Sequence, residues 1–322
     1  MLEESHFHFI GIGGIGMSAI ALALLKKGFT VSGSDLIKNP QISALSDLGV
    51  TIFDKQESLN IDLLYKKYKH KKLIIVKSSA IKNNNNELIY CLNNNFTIKH
   101  RSEILYFLMK SYISISVAGT HGKTSTSTFT STLLQLCTND TSSIIGGIVP
   151  IYNSNSYLSD TKYLVAEIDE SDGSIINYKS NLGIINNIEL DHTDYYLNID
   201  EMINSFKIFA NNSEKILINY DCEVTRKNIF TSHQWSNKKI KGIEYSMIPN
   251  VLDKDYTAAE YYENGIFIDK FIIPIPGLHN LSNVTAAIAA CRLKGVSIKK
   301  IKKNIKFLKL PKKKIRTERR IL

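Results

Sequence analysis

The sequence predicts an α/β protein: an N-terminal Rossmann-like parallel-sheet domain followed by a P-loop-type α/β domain. Three observations carry this reading. Two short apolar segments, His6–Ile10 and Ile113–Val117, each run into a glycine-rich turn that opens a helix. The glycines that begin these turns, Gly11 and Gly119, stand 108 residues apart, far enough for two separate units. The length of 322 residues also suits two domains of roughly 100–200 residues, each large enough for its own core.

The elements follow in order. His6–Ile10 reads as a strand, Met17–Lys27 as a helix of small and apolar residues, and Thr30–Ser34 as a strand ending at Asp35. A helix over Gln41–Leu48 and strands Val50–Phe53 and Leu73–Val76 continue a βαβ rhythm, which predicts a parallel sheet with ligand contacts at the carboxyl ends of its strands. The asparagine runs Asn83–Asn86 and Asn93–Asn95 read as polar loops. A helix over Arg101–Lys110 leads to the strand Ile113–Val117, a Ser/Thr-rich helix reaching Leu136, and strands Tyr163–Glu167 and Gly183–Asn187. These place the first domain at 1–108, the second at 109–310 and a basic tail at 311–322. Ile298, Ile301, Ile305 and Leu308 recur at helical spacing and predict a last amphipathic helix. Beyond Leu310 little apolar content remains, and disorder is expected.

The formal charge of +10 comes from 40 Lys+Arg against 30 Asp+Glu. From Lys299 onward the chain carries +11, so the preceding residues are nearly neutral. The bias of 34 Lys to 6 Arg suits an AT-rich coding background. No base-stacking or groove-reading motif accompanies the tail, so no nucleic-acid partner is expected. No apolar run approaches the ~20 residues of a membrane helix, and the acidic start Met1–His6 lacks a secretion-signal layout. Four widely spaced cysteines form no CxxC motif; a cytoplasmic protein is expected.

Four motifs carry chemistry. In Gly11-x-Gly13-x-x-Gly16, which includes Gly14, glycines permit a tight turn while a helix N-terminus offers unpaired N–H groups to a diphosphate, and Asp35 can accept hydrogen bonds from a ribose. At this point NAD(P) and a nucleotide-sugar diphosphate both fit. In Gly119-Thr120-His121-Gly122-Lys123-Thr124, backbone N–H groups can cradle phosphate, Lys123 can neutralise the β- and γ-phosphates, and the Thr124 hydroxyl can ligate Mg²⁺. Val117 stands where the usual GxxxxGK[ST] pattern has its first glycine. The acidic runs Glu167–Gly173 and Glu189–Asp194 follow strands, so they project to the phosphate-loop edge and can hold Mg²⁺. Pro276–Asn283 enters an Ala-rich helix; its turn and Asn280 read as helix entry.

Together these motifs resemble the Mur ligase family. The resemblance rests on GIGGIGMSAIA from Gly11, SGSD ending at Asp35, SSAI from Ser78 and GTHGKTSTS from Gly119, followed by EIDESDGS, NIELDHTDYY and PGLHNLSN. It covers nearly the whole chain. It implies that the first glycine loop holds UDP rather than NAD, with Gly11, Gly13, Gly14, Gly16, Asp35, Ser78 and Ser79 on the UDP side and His100-Arg101 near the muramyl part. It further implies ATP at Gly119 through Ser125, with Thr124 and Glu167 as ligands of one Mg²⁺, His192 as a ligand of a second, and His279 and Asn280 against adenine. Lys123, Glu167 and His192 become the catalytic set. The implied reaction joins L-alanine to UDP-N-acetylmuramate through an acyl phosphate, in peptidoglycan synthesis.

Two small departures occur: Leu278 replaces the family's Arg, and Asn86 replaces the Pro before Glu87. A large one concerns length. The family implies a third domain of roughly 130–150 residues, and Pro311–Leu322 matches its linker poorly. The expectation is a chain that stops where that domain begins, completed by a separately encoded domain or left as a UDP-substrate and ATP-binding remnant. An NAD-dependent oxidoreductase ranks below both, because it leaves the phosphate loop unexplained.

Overall fold

The computed structural model describes residues 4–312. The first unit contains β1 (Ser5–Ile10), α1 (Ile15–Lys26), β2 (Thr30–Ser34), α2 (Pro40–Asp47), β3 (Thr51–Phe53), α3 (Ser58–Lys67), β4 (Lys72–Lys77), α4 (Asn86–Asn93), β5 (Thr97–His100) and α5 (Arg101–Met109). Its five strands form a parallel sheet in the order β3-β2-β1-β4-β5. The order reverses between β1 and β4, so the loop after β1 opens at the switch point where such sheets bind ligands. Helix α1 supplies Ala19, Ala21 and Ala23 to the interior, and these small side chains let the helix lie close to the strands.

The asparagine runs expected as loops also mark helix ends: Asn83–Asn85 lie before α4 and Asn94 and Asn95 after it, while Asn86 and Asn93 are its first and last residues. Asn85 accepts a hydrogen bond from Leu88 N at 2.9 Å and caps α4, while Asn95 takes φ +56° just past its end. Asn and Ser side chains compete for backbone groups at helix ends, which is why a polar run can mark a boundary rather than a gap. Beneath this sheet lies a buried polar chain. His6 Nε2 and His8 Nδ1 both contact Ser32 Oγ, at 2.7 and 2.8 Å. His8 Nε2 reaches Glu87 Oε1 at 3.0 Å, and Asn60 donates to the same oxygen at 2.9 Å. Glu87 is fully buried and so depends on these partners.

The second unit contains β6 (Ile113–Ala118), α6 (Lys123–Thr138), β7 (Thr141–Val149), β8 (Ser154–Tyr157), β9 (Tyr163–Glu167), β10 (Leu182–Ile185), α7 (Ile199–Asn211), β11 (Ile216–Asn219), α8 (Glu223–Asn228) and β12 (His233–Ser236). It continues through β13 (Tyr245–Leu252), β14 (Thr257–Glu263), β15 (Ile266–Ile273), α9 (Leu278–Leu293) and α10 (Ile298–Asn304). Its ten strands run β15-β14-β13-β12-β11-β10-β6-β9-β7-β8. The stretch from β13 to β7 is parallel; β14, β15 and β8 add antiparallel edges. Strands β9 and β10 flank β6, so the acidic runs that follow them meet the loop after β6.

The two units do not keep separate cores. One buried cluster joins Ile20 and Leu24 of α1 to Ile144 of β7, Leu164 of β9 and Phe206 of α7. The β7–β8 hairpin packs on α1 and closes that interior. A second cluster lies where α6 meets α9, with Phe129, Leu133, Val284 and Ile288 around Trp235.

At the C-terminal end Ile301, Ile305 and Leu308 are buried at the spacing the sequence predicts, although α10 stops at Asn304 and tightens into a 3₁₀ turn over Ile305–Phe307. Pro311 and Lys312 depart from the expected disorder. Lys312 N donates to Ile148 O at 3.1 Å, and Pro311 packs where Gly147 has no side chain. The remainder of the basic tail, 313–322, lies outside the described residues.

Candidate active site

Strand β6 delivers the chain to Gly119 (φ +134°) and Gly122 (φ +79°), two positive-φ positions that turn it into the N-terminus of α6. A Cβ on Gly122 would stand 2.6 Å from Asn283 Oδ1 and 3.0 Å from Asn186 Nδ2. Thr120 Oγ1 donates to Glu189 O at 3.1 Å, and His121 N donates to Asn187 Oδ1 at 2.7 Å. The loop is thus held from β10's end. Thr120, His121, Gly122, Lys123, Thr124 and Ser125 line a cavity of about 630 Å³, which Gly146 and Gly147 of β7 close from the side.

Lys123 Nζ donates to Gly119 O at 2.8 Å, Thr120 O at 3.2 Å and Glu170 Oε1 at 2.8 Å. Thr124 Oγ1 donates to Glu167 Oε1 at 2.8 Å, and Gly146 N donates to Glu167 Oε2 at 2.7 Å. Burial pushes the Glu167 carboxyl upward, against the pull of those two donors. His192, at φ +54°, lies apart from Thr124 and Glu167. Its Nε2 is 3.6 Å from Glu170 Oε1.

Glu170 is the residue the sequence reading passed over. It is fully buried, its carboxyl is raised by burial, and its Oε2 has no hydrogen-bond partner among the described residues. Tyr196 fixes its backbone by donating from its hydroxyl to Glu170 O at 2.8 Å. Nothing in the acidic run Glu167–Gly173 marks this carboxylate above its neighbours. Two polar sets therefore stand at the phosphate loop: Thr124 with Glu167, and Lys123 with Glu170 and His192. Among the described residues no three His, Cys, Asp or Glu side chains converge as a metal site. A cation here would draw its remaining ligands from phosphate and water, as Mg²⁺ commonly does, and the orphaned Glu170 Oε2 suits a positive neighbour.

The helix-entry motif is divided in the structure. Asn280 Nδ2 turns back to Pro276 O at 2.7 Å, His279 is exposed, and neither lines the phosphate cavity. Asn283, one turn further on, faces the loop and accepts from Thr126 Oγ1 at 3.2 Å.

In the first unit Gly11 has φ +80° and Gly14 precedes α1 without any side-chain cap. Asp35 is engaged by the glycine loop: its Oδ2 accepts from Gly13 N at 2.8 Å and its Oδ1 from Ile37 N at 3.0 Å. Ser78 O accepts from Ile81 N at 3.1 Å, and the Ile81 side chain packs toward Gly11. Ser79 Oγ donates to Asp172 Oδ2 at 2.9 Å, reaching the second unit. Arg101 does the same beside Gly16, pairing with Asp169 and, at 3.4 Å, with Asp172. Burial would raise the Asp169 carboxyl, but the Arg101 guanidinium overrides it and holds the pKa at about 2. A cavity of about 830 Å³ opens between the units along Lys77, Ser79, His100, Asp172 and Tyr195.

Residues 6–113 match the description "Mur ligase family, catalytic domain". Residues 117–291, more than half of the chain, match "Mur ligase middle domain". The chain belongs to the Mur ligase family. It is 62% identical over 311 residues to UDP-N-acetylmuramate–L-alanine ligase of Prochlorococcus marinus subsp. pastoris, a match covering 97% of this chain and 66% of that protein. Against the enzyme of the same name from a Synechococcus species it is 44% identical, covering 96% and 64%. The chain thus spans about two thirds of the length of the curated relatives it matches.

Among solved structures, UDP-N-acetylmuramate–alanine ligase of Thermotoga maritima superposes with TM-score 0.83 at 23% identity, covering 95% of this chain and 69% of that one. A UDP-N-acetylmuramate:L-alanyl-γ-D-glutamyl-meso-diaminopimelate ligase from Neisseria superposes with TM-score 0.84 at 22% identity, covering 96% and 99%. These two likenesses establish a Mur ligase fold. Among the described residues no helix is long and apolar enough to cross a membrane.

Proposed function

We propose that the two sites carry out ATP-dependent ligation of L-alanine to UDP-N-acetylmuramate, a step of peptidoglycan synthesis. The observation that carries the reading is the pairing of two strand–glycine-loop–helix units, with Arg101 beside Gly16 of the first and paired with Asp169 and Asp172 of the second. The Prochlorococcus relative supports the choice of substrates. In this reading Gly11 to Gly16 and the free N–H groups of α1 take the UDP diphosphate, while Gly119 to Ser125 take the triphosphate of ATP. His279 and Asn280 are assigned to adenine by family likeness, with Asn283 supporting the loop.

A carboxylate is a poor electrophile, so it must be activated. An oxygen of the lactyl carboxylate attacks the γ-phosphorus of ATP, the bond to the β-phosphate bridging oxygen breaks, and ADP leaves an acyl phosphate. The amine of L-alanine then adds to that carbonyl; the intermediate expels inorganic phosphate and the nitrogen gives up a proton. Lys123, released from Glu170 as phosphate enters, offsets the repulsion between carboxylate and triphosphate and holds them in line. Thr124 and Glu167 are the residues assigned to one Mg²⁺ and His192, now with Glu170, to a second. When bound, Mg²⁺ supplies charge neutralisation for the phosphoryl group in flight.

Phosphate release from ATP tests the reading. The expected result is release that requires UDP-N-acetylmuramate and L-alanine together and is lost in Lys123→Ala. Binding of both nucleotides without turnover would leave a binding remnant as the function of this chain. Turnover unchanged in Lys123→Ala, or displacement of UDP-N-acetylmuramate by NAD, would overturn the assignment.

A further inference from the structure

Besides Arg101, the β7–β8 hairpin touches both sites. Strand β7 departs from regular pairing with β8 between Ile144 and Val149. Within that irregular stretch Gly146 N holds Glu167 Oε2 at 2.7 Å, and Gly147 lies so close to Thr124 that a Cβ would meet its Cγ2 at 2.6 Å. The chain then turns through Asn153 (φ +49°) into β8. There Asn155, only 2% exposed, donates from Nδ2 to Ile15 O at 2.8 Å and to Ser18 Oγ at 3.1 Å. Both acceptors belong to the first turn of α1, the helix whose uncapped N-terminus follows the glycine loop. The Tyr152 and Tyr157 rings stack at 4.3 Å across the hairpin and stiffen the connection.

We propose that Asn155 is a positioning residue that makes binding at the glycine loop and binding at the phosphate loop depend on each other. The inference rests on the nucleotide assignments above and deepens them. The coupling follows from the contacts. Thr124 and Glu167 are bonded directly to one another, so a triphosphate complex that engages either must loosen that bond. Glu167 is anchored on Gly146, so its displacement is carried into β7. The hairpin passes that displacement to α1 only through a rigid, buried attachment, and Asn155 is the polar member of it. Packed hairpins have discrete arrangements, so a small shift at one end becomes a choice between two seatings at the other.

The test measures binding rather than turnover. UDP-N-acetylmuramate is titrated into the full chain by calorimetry, with and without a saturating, non-hydrolysable Mg·ATP analogue. The wild-type chain is expected to show a difference in affinity of at least about fivefold between the two conditions, the lower end of ordinary coupling. Asn155→Ala is expected to reduce that ratio to about one while each ligand, measured alone, keeps its affinity within about threefold. Asn155→Asp keeps the size of the side chain but loses the donor, and should behave as Asn155→Ala does. Ser18→Ala removes only one of the two acceptors and is expected to give an intermediate ratio; it serves also if the Asn155 variants do not fold. A wild-type ratio of one, an unchanged ratio in all three variants, or an equal weakening with and without the analogue would overturn the proposal. If either ligand fails to bind the wild-type chain, the nucleotide assignment itself has failed, which is a different result.

Discussion

Replacing Gly122 by alanine probes the phosphate loop at its tightest point. Gly122 has φ +79° and ψ −2°, a left-handed conformation that costs an alanine roughly 1–2 kcal/mol. The added Cβ would also stand 2.6 Å from Asn283 Oδ1 and 3.0 Å from Asn186 Nδ2. Both amides are buried, so they must move. Asn186 Nδ2 would then loosen its bonds to Thr126 Oγ1 at 3.0 Å and His121 O at 3.2 Å, and Asn283 its bond from Thr126 at 3.2 Å. One or two such bonds at about 1 kcal/mol each bring the total to about 2–4 kcal/mol.

That cost has two places to go. If the loop keeps its shape, the chain loses about 2–4 kcal/mol of stability in denaturant melts. If the loop relaxes, stability is spared and ATP affinity falls by about 30- to 700-fold, at about 1.4 kcal/mol per decade. The two losses should therefore add to a roughly constant sum, read by urea melts and by calorimetry with an ATP analogue. Gly242→Ala is the control: Gly242 has φ +87° with no atom of the described residues within 4 Å of an added Cβ, so it carries only the backbone cost and leaves ATP binding alone. Gly122→Ala with neither loss would refute the loop geometry.

Thr124→Val keeps the shape against Gly147 but removes the donor to Glu167; turnover of ATP should fall on the order of 10²-fold, as read by phosphate release. Burial, helped by the nearby His8, holds His6 down at about 3 from its ordinary 6.5. The unfolded chain then binds the extra proton, so this contribution is intact above about pH 6.5 and is lost toward pH 3 at about 1.4 kcal/mol per pH unit. Urea melts of His6→Gln against wild type should show the slope between pH 6 and pH 4 reduced by one proton; equal slopes would remove His6 as the cause.

Much of this was legible because glycine and hydrophobic period are local signals. The strands before Gly11 and Gly119, the helices after them, and the placement of the acidic run from Glu167 beside the phosphate loop all follow from short-range pattern. Signals spread over distance were not legible. Asn155 meets α1 from 140 residues away, and no local feature of a Ser/Asn-rich hairpin announces it. Glu170 looks like its neighbours in sequence, and only folding decides which carboxylate is buried with an unpaired oxygen. Asn280 and Asn283 have the same chemistry one helical turn apart; the packing of α9 on α6 gives the loop contact to Asn283. Helix α4 escaped notice because asparagines open and close it, a composition that reads as loop until Asn85 is seen accepting from Leu88 N.

The central claim is that the chain holds two separable nucleotide sites, with Lys123 serving only one. Calorimetric titration of Mg·ATP and of UDP-N-acetylmuramate into wild type and Lys123→Ala tests it most directly, with Glu170→Gln added so that no uncompensated carboxylate is left buried. The account predicts that ATP affinity falls by about 10- to 100-fold, as expected for a lost charged hydrogen bond, while UDP-N-acetylmuramate binds as before. Unchanged ATP affinity, or loss of both ligands from a chain that still melts cooperatively, would contradict it.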